Sequence, residues 1–200
     1  MGIDVWEVIE GASTKPFGYM PFFPGPGLGG HCIPIDPFYL SFKAKEYGVP
    51  TKFIELAGEI NTKMPEYVLL KLEESLLTYS KIDIKESKIL IIGAAYKKNV
   101  DDMRESPSLV LIRSLLNLNA EVDYYDPFVP IIPPSREYNE LTGMKGIKSL
   151  SNKINSYDAV IISTDHDCID YPYIGEHANL IIDTRNAMKF YESKAKIIKA

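Results

Sequence analysis

Cys32 lies between Phe22-Phe-Pro-Gly-Pro-Gly-Leu-Gly-Gly-His31 and Ile33-Pro-Ile-Asp-Pro37, and it is one of two cysteines in 200 residues. Glycines at 25, 27, 29 and 30 let a ligand come close to the main chain. The stretch therefore reads as a pocket wall that ends at a nucleophile. Asp36, four residues after the thiol, would stand one helical turn further on the same face if a helix begins near Cys32. A carboxylate there can move protons or position a water. The competing reading is an inert buried thiol, the commonest state of a free cysteine; the glycines and Asp36 favour the nucleophile. Cys168 has no such neighbours and reads as structural. His31, Cys32, His166 and Cys168 are zinc-type ligands, but no pair has C-x-x-C spacing, and no metal is expected.

Further candidates lie downstream. Lys97 and Lys98 follow a strand end, where cations suit phosphates or carboxylates; a solvated basic turn is the alternative. Arg104, in Asp101-Asp-Met-Arg-Glu-Ser-Pro107, reads either as an ion-pair residue or as a ligand contact. Arg185 follows Asp183 at a strand end and has the same two readings, because a forked guanidinium serves both. The aromatic stretch 16–23 reads as loop packing or as the wall of a sugar pocket. Gly25-x-Gly27-x-x-Gly30 matches a dinucleotide fingerprint only formally, since it neither follows a strand nor opens a helix. The junction at Gly93-Ala-Ala-Tyr-Lys-Lys98 has no second glycine, so no full dinucleotide site is expected.

The elements that must carry these residues fall into two patterns. The start, Met1 to Glu10, reads as the inside of a helix with Val5, Ile9 and Ala12 on one face, as in the tail of a longer polypeptide. A helix is expected from about Pro37 to Tyr47, and a long amphipathic helix from Phe53 to Leu76, kinked at Pro65. These helices are expected to pack as one all-α unit over 1–80, followed by a polar linker at 81–87. From 88 to 200 the pattern becomes α/β. Strands are expected at Ile89–Gly93, Glu121–Tyr125, Ala159–Ser163 and Leu180–Asp183, with a helix over 106–118 capped by Ser106. Alternation of this kind predicts a parallel sheet whose ligands bind at the carboxyl ends of its strands. Tyr96-Lys97-Lys98, Asp165-His166 and Asp183-Thr-Arg-Asn186 all fall at such ends. Residues 130–150 show no pattern.

A net charge of −5 argues against nucleic-acid binding. No apolar run reaches the ~20 residues of a membrane span, and no signal peptide opens the chain. Two cysteines then fit free thiols in a cytoplasmic protein.

Together, Asp4-Val-Trp-Glu-Val8, Gly25-Pro-Gly-Leu-Gly-Gly-His-Cys-Ile-Pro-Ile-Asp-Pro-Phe-Tyr-Leu40, Phe53-Ile-Glu-Leu-Ala-Gly-Glu-Ile-Asn61, Ala95-Tyr-Lys-Lys98, Asp102-Met-Arg-Glu-Ser-Pro107 and Asp183-Thr-Arg-Asn-Ala187 resemble the UDP-glucose/GDP-mannose dehydrogenase family. The resemblance is to the last part of that family's helical middle domain and to its C-terminal Rossmann-like nucleotide-sugar domain. It implies an NAD-dependent oxidation of a UDP-sugar C6 alcohol to a carboxylate, through a thiohemiacetal and a thioester on Cys32, with Asp36 assisting hydrolysis. It implies substrate contacts from Phe23, Pro24, Gly25, Pro26, Gly27, Leu28, Gly29, Tyr96, Lys97 and Arg185. Cofactor contacts fall to Cys32, Ile33, Pro34, Ile35 and Arg104, while the family's NAD-binding domain and catalytic lysine and asparagine would lie upstream. A homodimer through the helical part and a separately supplied N-terminal half are implied as partners. A catalytically inactive nucleotide-sugar-binding module, a Cys-dependent hydrolase using His166 as base, and a plain structural fragment are the alternatives.

Overall fold

Ile89-Leu-Ile-Ile92 has no polar side chain, and it forms all but the first residue of β1 (Lys88–Ile92), a strand covered on both faces. In the computed structural model, which describes residues 2–151 and 153–200, β1 belongs to a five-stranded sheet. The other strands are β2 (Glu121–Tyr125), β3 (Ala159–Ile162), β4 (Leu180–Asp183) and β5 (Lys196–Lys199), in the order β2-β1-β3-β4-β5. Every pairing is parallel. Successive side chains of a strand point to opposite faces. Ile89 and Ile91 accordingly enter one core with Leu111, Ile112 and Leu115, whereas Leu90 and Ile92 enter another with Ile154 and Ile174.

The expected strands and the 106–118 helix are present, the helix as α4 (Pro107–Asn117) with the Ser106 hydroxyl accepting from Ser108 N–H. Two elements lay outside the expectation, a short helix over Tyr171–His177 and the edge strand β5. Residues 130–150 are less formless than their sequence. Ile131 bridges Lys145, and Ile132, Tyr138 and Leu141 are buried in the first core.

The helical part departs from expectation at α1 and in how its helices pack. α1 (Val5–Ser13) begins at Asp4, whose carboxylate accepts from Trp6 N–H at 2.9 Å; Met1 lies outside the described residues. Its buried residue is Trp6, stacked on Phe23, while Val5 is exposed. α2 (Asp36–Glu46) packs on α3 (Lys52–Ser75), and α3, with Pro65 inside it, leads into a π-helical turn over Leu76–Ser80. The three helices do not share one core. Val68, Leu72 and Leu76 join the sheet's first core, and α1 is tied to the far end of the chain by Asp4–Lys199 and Glu10–Lys189 ion pairs. No described helix is long and apolar enough to cross a membrane.

Candidate functional site

Chain direction reverses its march across the sheet between β1 and β3: β2 lies on one side of β1, and β3, β4 and β5 on the other. Such a switch point opens a crevice at the strands' carboxyl ends. The segments leaving β1, β3 and β4 there carry Tyr96-Lys97, Asp165-His166 and Arg185.

The glycine segment lies against these ends. A Cβ at Gly25 would stand 2.4 Å from Arg185 Nη1, and one at Gly29 would stand 2.7 Å from Tyr96 Cβ and 2.8 Å from Glu105 O. At Gly30, with φ +94, a Cβ would stand 2.7 Å from Tyr96 Cε2, and its N–H donates to Arg104 O at 2.8 Å. At Gly29, against the Glu105 carbonyl, and at Gly30, with its positive φ, a residue without Cβ is required. Gly27, at φ +134, would place a Cβ 3.3 Å from Pro107 Cγ, and it is the positive φ that favours glycine there. The segment forms neither a strand-to-helix turn nor the start of a helix, which agrees with rejecting a phosphate loop at this point.

Arg185 is half-buried. Its Nε donates to Ser163 O at 2.8 Å, and it takes part in none of the ion pairs among the described residues. Burial lowers its pKa, opposed by Asp165, but a guanidinium stays charged at neutral pH. An under-compensated cation beside Gly25 suits an anionic group. Lys97 is exposed, with Nζ 5.4 Å from the Tyr96 ring centre, while Lys98 pairs with Asp167 at 3.0 Å. Arg104 forks onto Asp102, with Nε to Oδ1 at 3.1 Å and Nη2 to Oδ2 at 2.6 Å. The Asp102 carboxyl is lowered first by that hydrogen bond, with burial opposing.

Cys32 is exposed, with Sγ 3.8 Å from His31 Nδ1. The helix does not start at the thiol as the face argument required. Cys32 O accepts the N–H groups of Ile35 and Asp36 at 3.1 and 2.8 Å, a single turn that leads into α2, where Asp36 is the first residue. Ile33 and Ile35 are exposed on that turn. Cys32 also acts electrostatically on Arg104, after the larger effect of Asp102. A cavity of about 430 Å³ adjoins this turn, lined by Gly30, His31, Ile35, Arg104 and Arg136 among others. A second, of about 330 Å³, lies below Gly27, Leu28 and Pro34 and reaches Glu105 and Arg113. Neither is lined by Cys32, Lys97 or Arg185.

His166 is no base for Cys32. It is fully buried, its Nδ1 accepts from Asn99 N–H at 2.9 Å, and its Nε2 meets Asp126 Oδ2 at 3.0 Å. Both ring nitrogens are thus engaged, and the hydrolase alternative loses its candidate. Asp126 also receives Ala94 N–H and Ala95 N–H on Oδ2 and Phe128 N–H and Val129 N–H on Oδ1, at 2.7 to 3.0 Å. Burial raises its pKa, yet the His166 hydrogen bond and the amides of Ala95 and Phe128 outweigh that, and the carboxyl sits below its ordinary value. The sequence reading passed over Asp126, although its place just after β2 is the same strand-end signal that picked out Lys97 and Arg185.

Comparison with known proteins matches residues 1–63 to the central domain of the UDP-glucose/GDP-mannose dehydrogenase family and residues 90–190 to its UDP binding domain. The UDP-N-acetyl-D-mannosamine dehydrogenase of Methanococcus vannielii is 36% identical over 196 residues, which are 94% of this chain and 42% of that protein. The UDP-N-acetyl-D-glucosamine 6-dehydrogenase of Pseudomonas aeruginosa is 33% identical over 166 residues, 83% of this chain and 37% of that protein. Among solved structures, the UDP-D-ManNAc dehydrogenase of Pyrococcus horikoshii superposes with a TM-score of 0.81 at 33% identity, over 99% of this chain and 44% of that one. The chain thus spans about two fifths of the length of these relatives. With its all-parallel α/β sheet and both matched segments, the chain belongs to the UDP-glucose/GDP-mannose dehydrogenase family.

Proposed function

We propose that these residues form the UDP-sugar-binding and thiol-bearing part of an NAD-dependent nucleotide-sugar 6-dehydrogenase acting on a UDP-N-acetylhexosamine or UDP-glucose. The observation that carries this reading is the close approach of Gly25 to Arg185 and of Gly29 and Gly30 to Tyr96. It sets glycine main chain beside a half-buried guanidinium and the Tyr96 ring, and that chemistry suits a nucleoside diphosphate. Phe23 to Gly29, Tyr96, Lys97 and Arg185 are its substrate residues in this proposal. Residues 1–80 are its helical part, 81–87 the connection and 88–200 its nucleotide-sugar domain.

The thiolate of Cys32 adds to the C6 aldehyde carbon to give a thiohemiacetal, and the same sulfur later holds the acyl group as a thioester. Asp36, at the start of α2, positions and deprotonates the water that cleaves this ester. NAD⁺, when bound, accepts the hydride in each of the two oxidations. The residues present fit the rim of a cofactor site. Ile33, Pro34 and Ile35 present an apolar turn next to Cys32, and Arg104 brings a guanidinium. They do not fit its pyrophosphate cradle, because the amides of Ala94 and Ala95, which leave β1 toward α4, are both taken by Asp126. We therefore propose that the main dinucleotide cradle lies outside these 200 residues and that the 200 residues alone bind the sugar nucleotide without oxidising it. Partners are the UDP-sugar, an upstream half, and a second copy joined through the helical part, where Phe42, Phe53, Leu56 and Ile60 are exposed.

Calorimetry with UDP-N-acetylglucosamine, UDP-N-acetylmannosamine and UDP-glucose tests the reading, alongside an NAD⁺ reduction assay. Saturable binding of one of these, with no NADH formed by the isolated residues, is the expected result. NADH formation would overturn the division of labour, and no binding at all would overturn the site.

A further inference from the structure

We propose that Asp126 and His166 are positioning residues for the sugar nucleotide, one buried bridge that holds both feet of the arch carrying Tyr96 and Lys97. The inference rests on the UDP-sugar reading above and adds two residues to it. The arch spans residues 96–98. Its first foot is Ala94-Ala95, whose N–H groups donate to Asp126 Oδ2 at 2.7 and 2.9 Å. Its second foot is Asn99, at φ +63, whose N–H donates to His166 Nδ1 at 2.9 Å. His166 Nε2 closes the bridge on the same Asp126 oxygen at 3.0 Å.

The geometry settles the tautomer. Nδ1 accepts from an amide, so it carries a lone pair, and the ring proton sits on Nε2, facing the carboxylate. A neutral imidazole and a carboxylate that accepts five N–H groups leave no unpaired donor at either foot. Asp126 also fixes the turn after β2 through Phe128 and Val129 N–H, so three strand ends are referenced to one carboxylate. The Phe128 ring lies 5.0 Å from the imidazole and helps seal it. The arch itself remains outside this seal. Lys97 is exposed, and Tyr96 faces Gly29 and Gly30, so the bridge sets where the arch meets the glycine segment without touching a ligand in that crevice.

Two substitutions separate the halves of the bridge. His166→Asn retains an acceptor for Asn99 N–H and loses the donor to Asp126, whereas His166→Gln retains that donor and loses the acceptor. On the 200-residue chain, both are expected to lower the thermal midpoint to a similar extent. Only His166→Gln is expected to weaken UDP-N-acetylglucosamine binding roughly tenfold and to speed amide exchange at Lys97 to Asn99 about tenfold, with Asn restoring both to within about threefold of wild type. Equal binding and exchange in the two variants would overturn the positioning role. If wild type binds no UDP-sugar, the reading beneath the proposal fails; the exchange contrast still decides whether His166 anchors the arch. Should neither variant fold, ¹⁵N shifts of His166 in the wild-type chain decide, since a proton on Nδ1 in place of Nε2 contradicts the bridge.

Discussion

The carboxyl ends of β1, β2 and β3 and the segment around Cys32 are joined through the glycines at 29 and 30 but are built on opposite principles. At the strand ends, Asp126 is 4% exposed, His166 is sealed completely, and each carboxylate lone pair meets an N–H. Around the thiol, Phe22, Ile33 and Ile35 are 77%, 61% and 47% exposed, and only one turn of hydrogen bonds leads from Cys32 into α2. The strand ends act as a reference frame, and the glycine segment is laid on it with Cys32 and its neighbours exposed. In the proposed function stability and chemistry fall to different residues, and substitutions should separate them.

The largest effect should come from the frame. Asp126→Ala leaves the amides of Ala94, Ala95, Phe128 and Val129 buried without their acceptor, and is expected to cost at least about 3 kcal/mol in urea unfolding. A cost under about 1 kcal/mol would show that water replaces the carboxylate. Next is the seam between the two regions. Gly30→Ala combines a left-handed φ with a collision against the Tyr96 ring, and about 1–3 kcal/mol of stability should be lost together with UDP-sugar binding.

The frame should also show in acid. The folded carboxyl of Asp126 lies below its unfolded value, so its stabilisation is present above about pH 4 and is lost as pH falls through the lower folded value. Unfolding midpoints measured down the acid limb should flatten in Asp126→Asn relative to wild type. The smallest stability effect belongs to the thiol. Cys32→Ser should change unfolding free energy by less than about 0.5 kcal/mol, because the side chain is exposed, and should leave UDP-sugar affinity within about threefold. Alkylation at position 32, followed by mass spectrometry, should disappear with it.

The same contrast explains what the sequence disclosed. β1, β3 and β4 were readable because a strand buried on both faces must be apolar throughout, and Ser106-Pro107 marks the start of α4. β5 escaped because only Ile197 and Ile198 separate its lysines, a pattern suited to a charged edge strand. The short helix over Tyr171–His177 was obscured by Pro172 and Gly175. Cys32 and the glycines stood out by local spacing alone. Arg185 meeting Gly25, and Pro107 meeting Gly27, depend on tertiary approach across long stretches of chain, to which no local pattern is sensitive. The expected face of Val5, Ile9 and Ala12 left out Trp6, the buried residue of α1, because its partner Phe23 belongs to the loop and not to another helix.

The central claim is that main chain from Gly25 to Gly30, Tyr96 and the half-buried Arg185 form one anion-accepting crevice for a sugar nucleotide. Calorimetric titration of the chain with UDP-N-acetylglucosamine, comparing wild type with Arg185→Ala at equal unfolding midpoint, tests it most directly. The account predicts saturable 1:1 binding that Arg185→Ala weakens at least about tenfold, a loss of roughly 1.4 kcal/mol. Binding that is unchanged by the substitution would contradict it.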